Sequence, residues 1–301
     1  MKPDVRHDSV DVVLGLDRNV PTDPTASADG GRPIRDDRPA TGAATGRGAR
    51  RLAASVLPPA VAFAVLVGGW EWFVRARDIK EIILPAPSDI AEELWRRPGR
   101  WWDDAVVTGW EALLGFAVAF VVAIALAIVI SHSRLAERAL MPVVTMIQVT
   151  PVIALSVPLV IWLGFGAAPK VVMAALITFV PLVVNAVTGF RSVDPATLEV
   201  LRSVHASRVE IFWKLRVPHA LPYLFSAARI CVGLALIGAL VAEWSGSSEG
   251  LGYRMIRAQN QLAITQVWAA VAVLMAMGVV VTALLTLVER RALRWHQGHE
   301  S

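Results

Sequence analysis

Six runs of about twenty apolar residues recur along this chain, near residues 52–74, 106–130, 140–163, 171–190, 223–241 and 267–288. A helix of about that length crosses the roughly 30 Å hydrocarbon layer of a bilayer. Inside lipid every backbone N–H and C=O must be satisfied within the protein, which leaves helices as the natural solution for such runs. One run alone would fit a buried core helix. Six, in a chain of 301 residues that is 55% hydrophobic and only 18% charged, do not fit a soluble domain. The expected fold is therefore all-α and polytopic, with about six transmembrane helices in contact with a lipid bilayer.

The remainder of the chain is organised around those runs. Residues 1–49 carry seven Lys/Arg against eight Asp and show no apolar periodicity, so they are expected to form a disordered tail. Arg50 and Arg51 precede the first run, which ends in Trp70, Trp72 and Phe73, an aromatic anchor at a membrane interface. A cleaved leader would have a shorter preceding segment and a small-residue cleavage site, so the first run is expected to be a retained helix. Residues 75–107 form a polar connection, in which 82–88 reads as extended and Ser88 as the cap of a short helix through Trp95. Pro142, Pro151 and Pro158 fall within the third run and are expected to break it. Residues 50–292 are expected to form the transmembrane domain, with a polar loop at 191–219 and a short tail at 293–301.

Basic residues set orientation in such proteins. With the N-terminus inside, 19 Lys/Arg fall in the inner segments and nine in the outer ones. Both termini and the 191–219 loop are therefore expected in the cytoplasm. The formal charge of +4 needs no nucleic-acid partner, and the single Cys231 supports no disulfide framework.

The sequence carries no GxxxxGK phosphate loop, no HExxH and no paired cysteines. Its six histidines lie in tails or loops, none in a helical pair, so no metal site is expected. The ionisable residues singled out in or beside the runs are Glu111, Arg229 and Glu243. Both carboxylates sit near the ends of their runs and are expected to reach water, and Arg229 to snorkel towards the cytoplasm. Ion-coupled carriers keep ionisable groups at mid-membrane depth. With so little there, the energy for any transport is expected from outside the chain. A self-sufficient carrier or channel is the alternative, and a coupling site within the spans would distinguish it.

The 194–222 stretch is the most structured of the polar segments. Asp194 precedes Pro195, the pattern of an N-cap followed by proline at the first helical position. Ser207 stands three residues before Glu210, as in a capping box. Leu198, Leu201, Val204, Val209, Phe212 and Trp213 recur at helical spacing, with Arg202, Arg208, Lys214 and Arg216 on other faces. The expected local structure is helix, tight turn, helix, outside the bilayer. An amphipathic helix lying on anionic lipid would share this pattern. The sharper reading is a docking element for a cytoplasmic motor.

Here the sequence resembles the permease subunits of binding-protein-dependent ABC importers. Their cytoplasmic loop reads EAA, three residues, Gly, nine residues, Ile, one residue, Leu-Pro. This chain has Glu199-Val200-Leu201, then His205, then Leu215, Val217 and Pro218. Further pieces are similar to the branch that imports nitrate, sulfonates, taurine and related small molecules: Leu84-Pro85-Ala86-Pro87, Trp162-Leu163-Gly164-Phe165-Gly166, Ala242-Glu243 and Gly250-Leu251-Gly252-Tyr253. The resemblance covers residues 52–292. It departs from the pattern at His205, where the family has glycine, and at Val200 and Leu201, where it has alanine.

The resemblance implies a bacterial cytoplasmic-membrane protein without a cofactor of its own. ATP and Mg would be bound by separate ATPase subunits, and an extracytoplasmic binding protein would deliver solute to a pathway made by two copies of this chain. It implies that Glu199, His205, Ala206, Ser207, Arg208, Glu210, Phe212 and Pro218 form the ATPase-coupling element. The glycine position implies a backbone with positive φ, which His205 must adopt. Gln148, Thr150, Trp162, Asn185 and Glu243 are candidates for the solute pathway, with Arg229, Arg254 and Arg257 as electrostatic aids to an anion.

Overall fold

The computed structural model describes residues 44–293, with side chains from Leu57 onward. The expectations for a disordered tail at 1–49 and a second tail at 293–301 fall almost wholly outside the described residues; the first helix already covers residues 44–49. Contacts divide the chain into Met1–Pro58 and Pro59–Ser301. The first unit contributes the start of helix α1 (Ala44–Ala76), and the second holds everything else.

The described elements are helical throughout. After α1 come α2 (Pro87–Arg96), α3 (Pro98–His132), α4 (Arg134–Val149), a 3-10 turn at Val152–Leu155 and α5 (Ser156–Leu163). They are followed by α6 (Ala167–Arg191), α7 (Pro195–Ser203), α8 (Arg208–Ile211), a π turn at Phe212–Arg216, α9 (Val217–Gly246), α10 (Leu251–Asn260) and α11 (Ile264–Ala292). Five helical stretches are long and apolar enough to span a membrane. A sixth span results if α4 and the 152–163 segment count as one.

Helices α3, α6 and α9 form the core. Lipid supplies no hydrophobic drive to bring helices together, so close packing of small residues does the work. Ala119, Ala123 and Ala127 place a small-residue stripe on α3, which packs with Leu182, Val183 and Ala186 of α6 and Ala220, Ala227 and Cys231 of α9. Two glycines set the closest approaches. A Cβ on Gly115 would lie 2.5 Å from Ala174 Cβ, and one on Gly238 would lie 2.7 Å from Ala174 Cα. Both α3 and α9 therefore press their backbones against the same point of α6.

Three expectations are narrowed or corrected. The third run is broken as expected, with α4 and the 152–163 segment meeting at 84°. The break falls at Thr150–Pro151 alone. Pro142 lies within α4, and Pro158 lies in the first turn of α5, where a missing N–H costs no helical bond. The cap of α2 is Ala86 with Pro87 at the first position, not Ser88. Asp89 returns its carboxylate to the Ala86 N–H at 3.1 Å, while Ser88 donates its hydroxyl to Glu71 at 2.8 Å. Lastly, the second loop helix and the fifth span are continuous, from Arg208 to Gly246. The π turn joins them, with Val217 N–H reaching Phe212 O. Pro218 follows directly; in a regular helix its ring would crowd the carbonyl four residues back, and the wider turn relieves that contact.

Candidate functional site

The 194–218 loop is built as its sequence dictates. Asp194 caps α7, accepting from Ala196 N at 3.3 Å. The helix ends in a Schellman turn, with Ala206 N donating to Leu201 O and His205 N to Arg202 O, both at 3.0 Å. His205 sits at the left-handed position of that turn with φ of 58°. The histidine thus occupies the conformation that the glycine of the resembling pattern would take. Ser207 and Glu210 close the expected capping box: Ser207 N donates to Glu210 Oε2 at 3.0 Å, and Glu210 N to Ser207 Oγ at 3.2 Å. Lys214 adds an ion pair to Glu210 Oε1 at 3.3 Å.

The apolar residues of the loop divide between two sides. Phe212 packs against Phe190 at the end of α6 (5.6 Å between ring centroids) and His132 at the end of α3 (5.5 Å). Leu215 is buried, and Leu198 and Leu201 are half-buried. By contrast Val200, Val204, Val209 and Trp213 remain about two-thirds exposed. Of the other residues expected in the coupling element, Glu199, His205, Ser207, Arg208 and Glu210 are exposed, while Ala206 and Pro218 are half-buried. The loop is therefore held to the bundle by Phe212 and Leu215 and offers an apolar, charge-rimmed face outward. Close by, Arg191 at the end of α6 makes a two-pronged pair with Glu137 of α4 (2.6 and 2.9 Å) and caps the Ile130 carbonyl of α3 at 3.0 Å. This clamp joins the loop's root to the broken span. Its partners lie 54 residues apart, so no local sequence pattern signals it.

At the opposite end of the bundle lies a polar cluster. Glu111 (α3) and Lys170 (α6) pair at 2.6 Å, both about 95% buried. Glu243 (α9) is 1% exposed and accepts from Thr108 Oγ1 at 2.7 Å and Gly252 N at 2.5 Å. Thr108 Oγ1 also accepts from Leu251 N at 2.9 Å. Asp104 accepts from Gly250 N at 3.4 Å and pairs with Arg254, whose guanidinium lies 5.0 Å over the Trp101 ring. The first turn of α10 is thus wrapped around two carboxylates, which suits the positive end of a helix. Gly250 and Gly252 are required there: a Cβ on Gly250 would lie 2.2 Å from Glu243 Oε1, and one on Gly252 would lie 2.4 Å from Leu240 O.

Glu111 and Glu243 are therefore buried among the helices, Glu111 paired with Lys170 and Glu243 hydrogen-bonded by Thr108 and Gly252, where the sequence led to an expectation that both reach water. Arg229 does not snorkel free but pairs with Glu289 of α11. Lys170 was not among the expected intramembrane charges, because the fourth run reads as starting at Val171 whereas α6 begins at Ala167. The pathway candidates are not brought together. Gln148 and Thr150 are exposed at the α4 break, where Thr150 Oγ1 bonds Met146 O at 2.8 Å. Trp162 is 74% exposed on α5. Asn185 is half-buried and bonds Pro181 O within its own helix at 2.8 Å. Arg254 is engaged by Asp104, and Arg257 is exposed. Among the described residues, no group of three or more His, Cys, Asp or Glu is placed to hold a metal ion.

The comparisons with known proteins agree with this construction. Residues 115–294 match the family of binding-protein-dependent transport system inner membrane components. A probable ABC transporter permease protein of Haemophilus influenzae is 34% identical, covering 73% of this chain and 89% of its own. The formylaminopyrimidine transport permease protein ThiX of Halalkalibacterium halodurans is 32% identical, covering 80% and 96%. The taurine transport system permease protein TauC of Escherichia coli is 26% identical, covering 77% and 87%. In fold, the chain is similar to a chain of the MetNI methionine ABC transporter in an inward facing conformation. That match has a TM-score of 0.50 at 18% identity, covering 62% of this chain and 92% of the other. The chain thus belongs to the family of binding-protein-dependent transport system inner membrane components and is the permease subunit of an ABC transporter.

Proposed function

We propose that two copies of this chain form the pathway of an importer, with the 194–218 loop on the cytoplasmic side docked in a separate ATPase subunit. The observation that carries this reading is the loop itself. Two caps, a Schellman turn and one aromatic anchor hold a stiff element whose outward face, Val200, Val204, Val209 and Trp213, stays about two-thirds exposed. ATP-driven closure of two ATPase subunits would draw two such loops together. Phe212 and the Glu137–Arg191 clamp would pass that motion to α3, α6 and the broken α4–α5 span.

The break at Thr150–Pro151 supports the paired arrangement. Non-helical backbone at membrane depth is tolerated only against protein or a water-filled cavity. Exposed Gln148 and Thr150 therefore call for a second copy or a watery pathway beside them. The bias of basic residues towards the loop side supports a cytoplasmic loop and cytoplasmic termini. The solute is a small organic compound of the kind named for the relatives, a pyrimidine derivative or a sulfonate, handed over by an extracytoplasmic binding protein. The test is capture of the ATPase subunit from detergent-solubilised membranes. Wild-type chain should retain it, and Val209→Asp with Trp213→Asp should release it. Equal retention by both would sink the docking role.

A further inference from the structure

A cavity of 500 Å³ opens at the loop end of the bundle, between α4, α6 and α9. Its wall changes character with depth. Arg191, Thr188 and Tyr223 supply the polar part, and Met141, Val184 and Val187 the apolar part. Arg191 ends α6, and Val184 lies two turns before it, about 10 Å deeper along the helix. Val184, Thr188 and Tyr223 are exposed on membrane-spanning helices, so the cavity opens sideways as well as at the bundle's end. The polar part holds unused donors. Three of the five N–H groups of Arg191 bond Glu137 and Ile130 O; the Nε–H and one Nη1–H have no acceptor among the described residues. Tyr223, 38% exposed, makes no hydrogen bond among them.

The local charge is positive. Glu137 is the one carboxylate on the cavity wall among the described residues, and Arg191 takes both its oxygens. Arg134 and Arg138 flank Glu137 on α4, both exposed and close enough to act on its charge, and neither forms an ion pair of its own among the described residues. Arg134 stands in the first turn of α4, where a cation opposes the helix dipole, so helix stability does not account for it. Three arginines thus surround one neutralised carboxylate where these helices leave the membrane.

We propose that this cavity binds an anionic phospholipid of the leaflet on the loop side. The phosphate accepts from Arg191 and Tyr223, Arg134 and Arg138 add attraction, and the start of an acyl chain lies against Met141, Val184 and Val187. Basic pockets between spanning helices hold such headgroups at the membrane surface. A free anion would match the arginines but leave the apolar wall facing water, whereas a phospholipid matches both. The bound lipid ties α4 to α6 and α9 beside the Glu137–Arg191 clamp, which makes the membrane's composition part of what holds the broken span to the loop.

The test uses the full chain purified with its ATPase subunit and stripped of lipid. Phosphatidylglycerol or phosphatidylcholine is then added in detergent, and native mass spectrometry counts the lipid retained per chain. Phosphatidylglycerol should be preferred by about fivefold or more, as expected for one net charge at a basic surface. Tyr223→Phe removes a single hydroxyl and Arg138→Gln alters an exposed side chain, so both keep the fold; each should cut the preference by about threefold or more. Arg100→Gln, exposed in the first turn of α3 at the other end of the bundle, should leave it unchanged. No preference, wild-type preference in either Tyr223→Phe or Arg138→Gln, or an equal loss in Arg100→Gln would each overturn the proposal. So would full displacement by glycerol 3-phosphate, which has the charge without the chains and would mark a site for a free anion. The count needs no hydrolysis, so it succeeds or fails independently of the importer reading.

Discussion

His205 shows how a single side chain adapts to a backbone requirement. Its φ of 58° lies where any residue with a Cβ is strained, by roughly 1 kcal/mol. Replacement with glycine should therefore raise the stability of the α7–α8 turn by about that amount and preserve or improve ATPase coupling. A His205→Val variant, β-branched, should lose more than it keeps. Thermal unfolding and coupled hydrolysis measure the two effects, and loss of coupling in His205→Gly would give the imidazole a role of its own. Lys170 poses the opposite case. Lys170→Met leaves two buried carboxylates unopposed and should cost about 3–5 kcal/mol. Adding Glu111→Gln should recover most of that loss in the melting temperature. If the double variant melts no higher than the single one, the pair is not what holds α3 to α6. The His205 turn was legible in the sequence because its determinants lie within ten residues. The Glu111–Lys170 pair was not, because its partners are 59 residues apart and meet only when two helices align.

At the scale of elements, local chemistry placed the loop's boundaries and long-range packing placed its faces. The Ser207–Glu210 box and the Asp194 cap were readable from spacing. That Phe212 turns inward while Trp213 turns outward depends on Phe190 and His132, which the sequence places far away. The three prolines of the third run could not be ranked by sequence alone. Only Pro151 coincides with a helix end, and Pro158 is harmless in a first turn. The cap can be tested directly. Ser207→Ala removes an acceptor from the Glu210 amide and should cost about 1 kcal/mol locally. Hydrogen exchange at residues 208–211 should then quicken by about fivefold. Unchanged exchange would mean that Phe212 alone holds the helix.

For the whole molecule, six apolar runs announced a polytopic helical protein, and the loop announced where its power enters. The assembly follows from what the single chain leaves uncovered. Cys231 is the only cysteine and is buried, so Cys231→Ser provides a clean background. In it, Thr150→Cys should cross-link between two copies with a short bifunctional reagent. A strictly monomeric product would argue against a shared pathway at the α4 break. The central claim, that the 194–218 loop couples an external ATPase to these spans, is tested most directly by ATP hydrolysis in the reconstituted complex. Loaded binding protein should stimulate hydrolysis with wild-type chain, and that stimulation should vanish with Val209→Asp and Trp213→Asp. Undiminished stimulation in that variant would contradict the account.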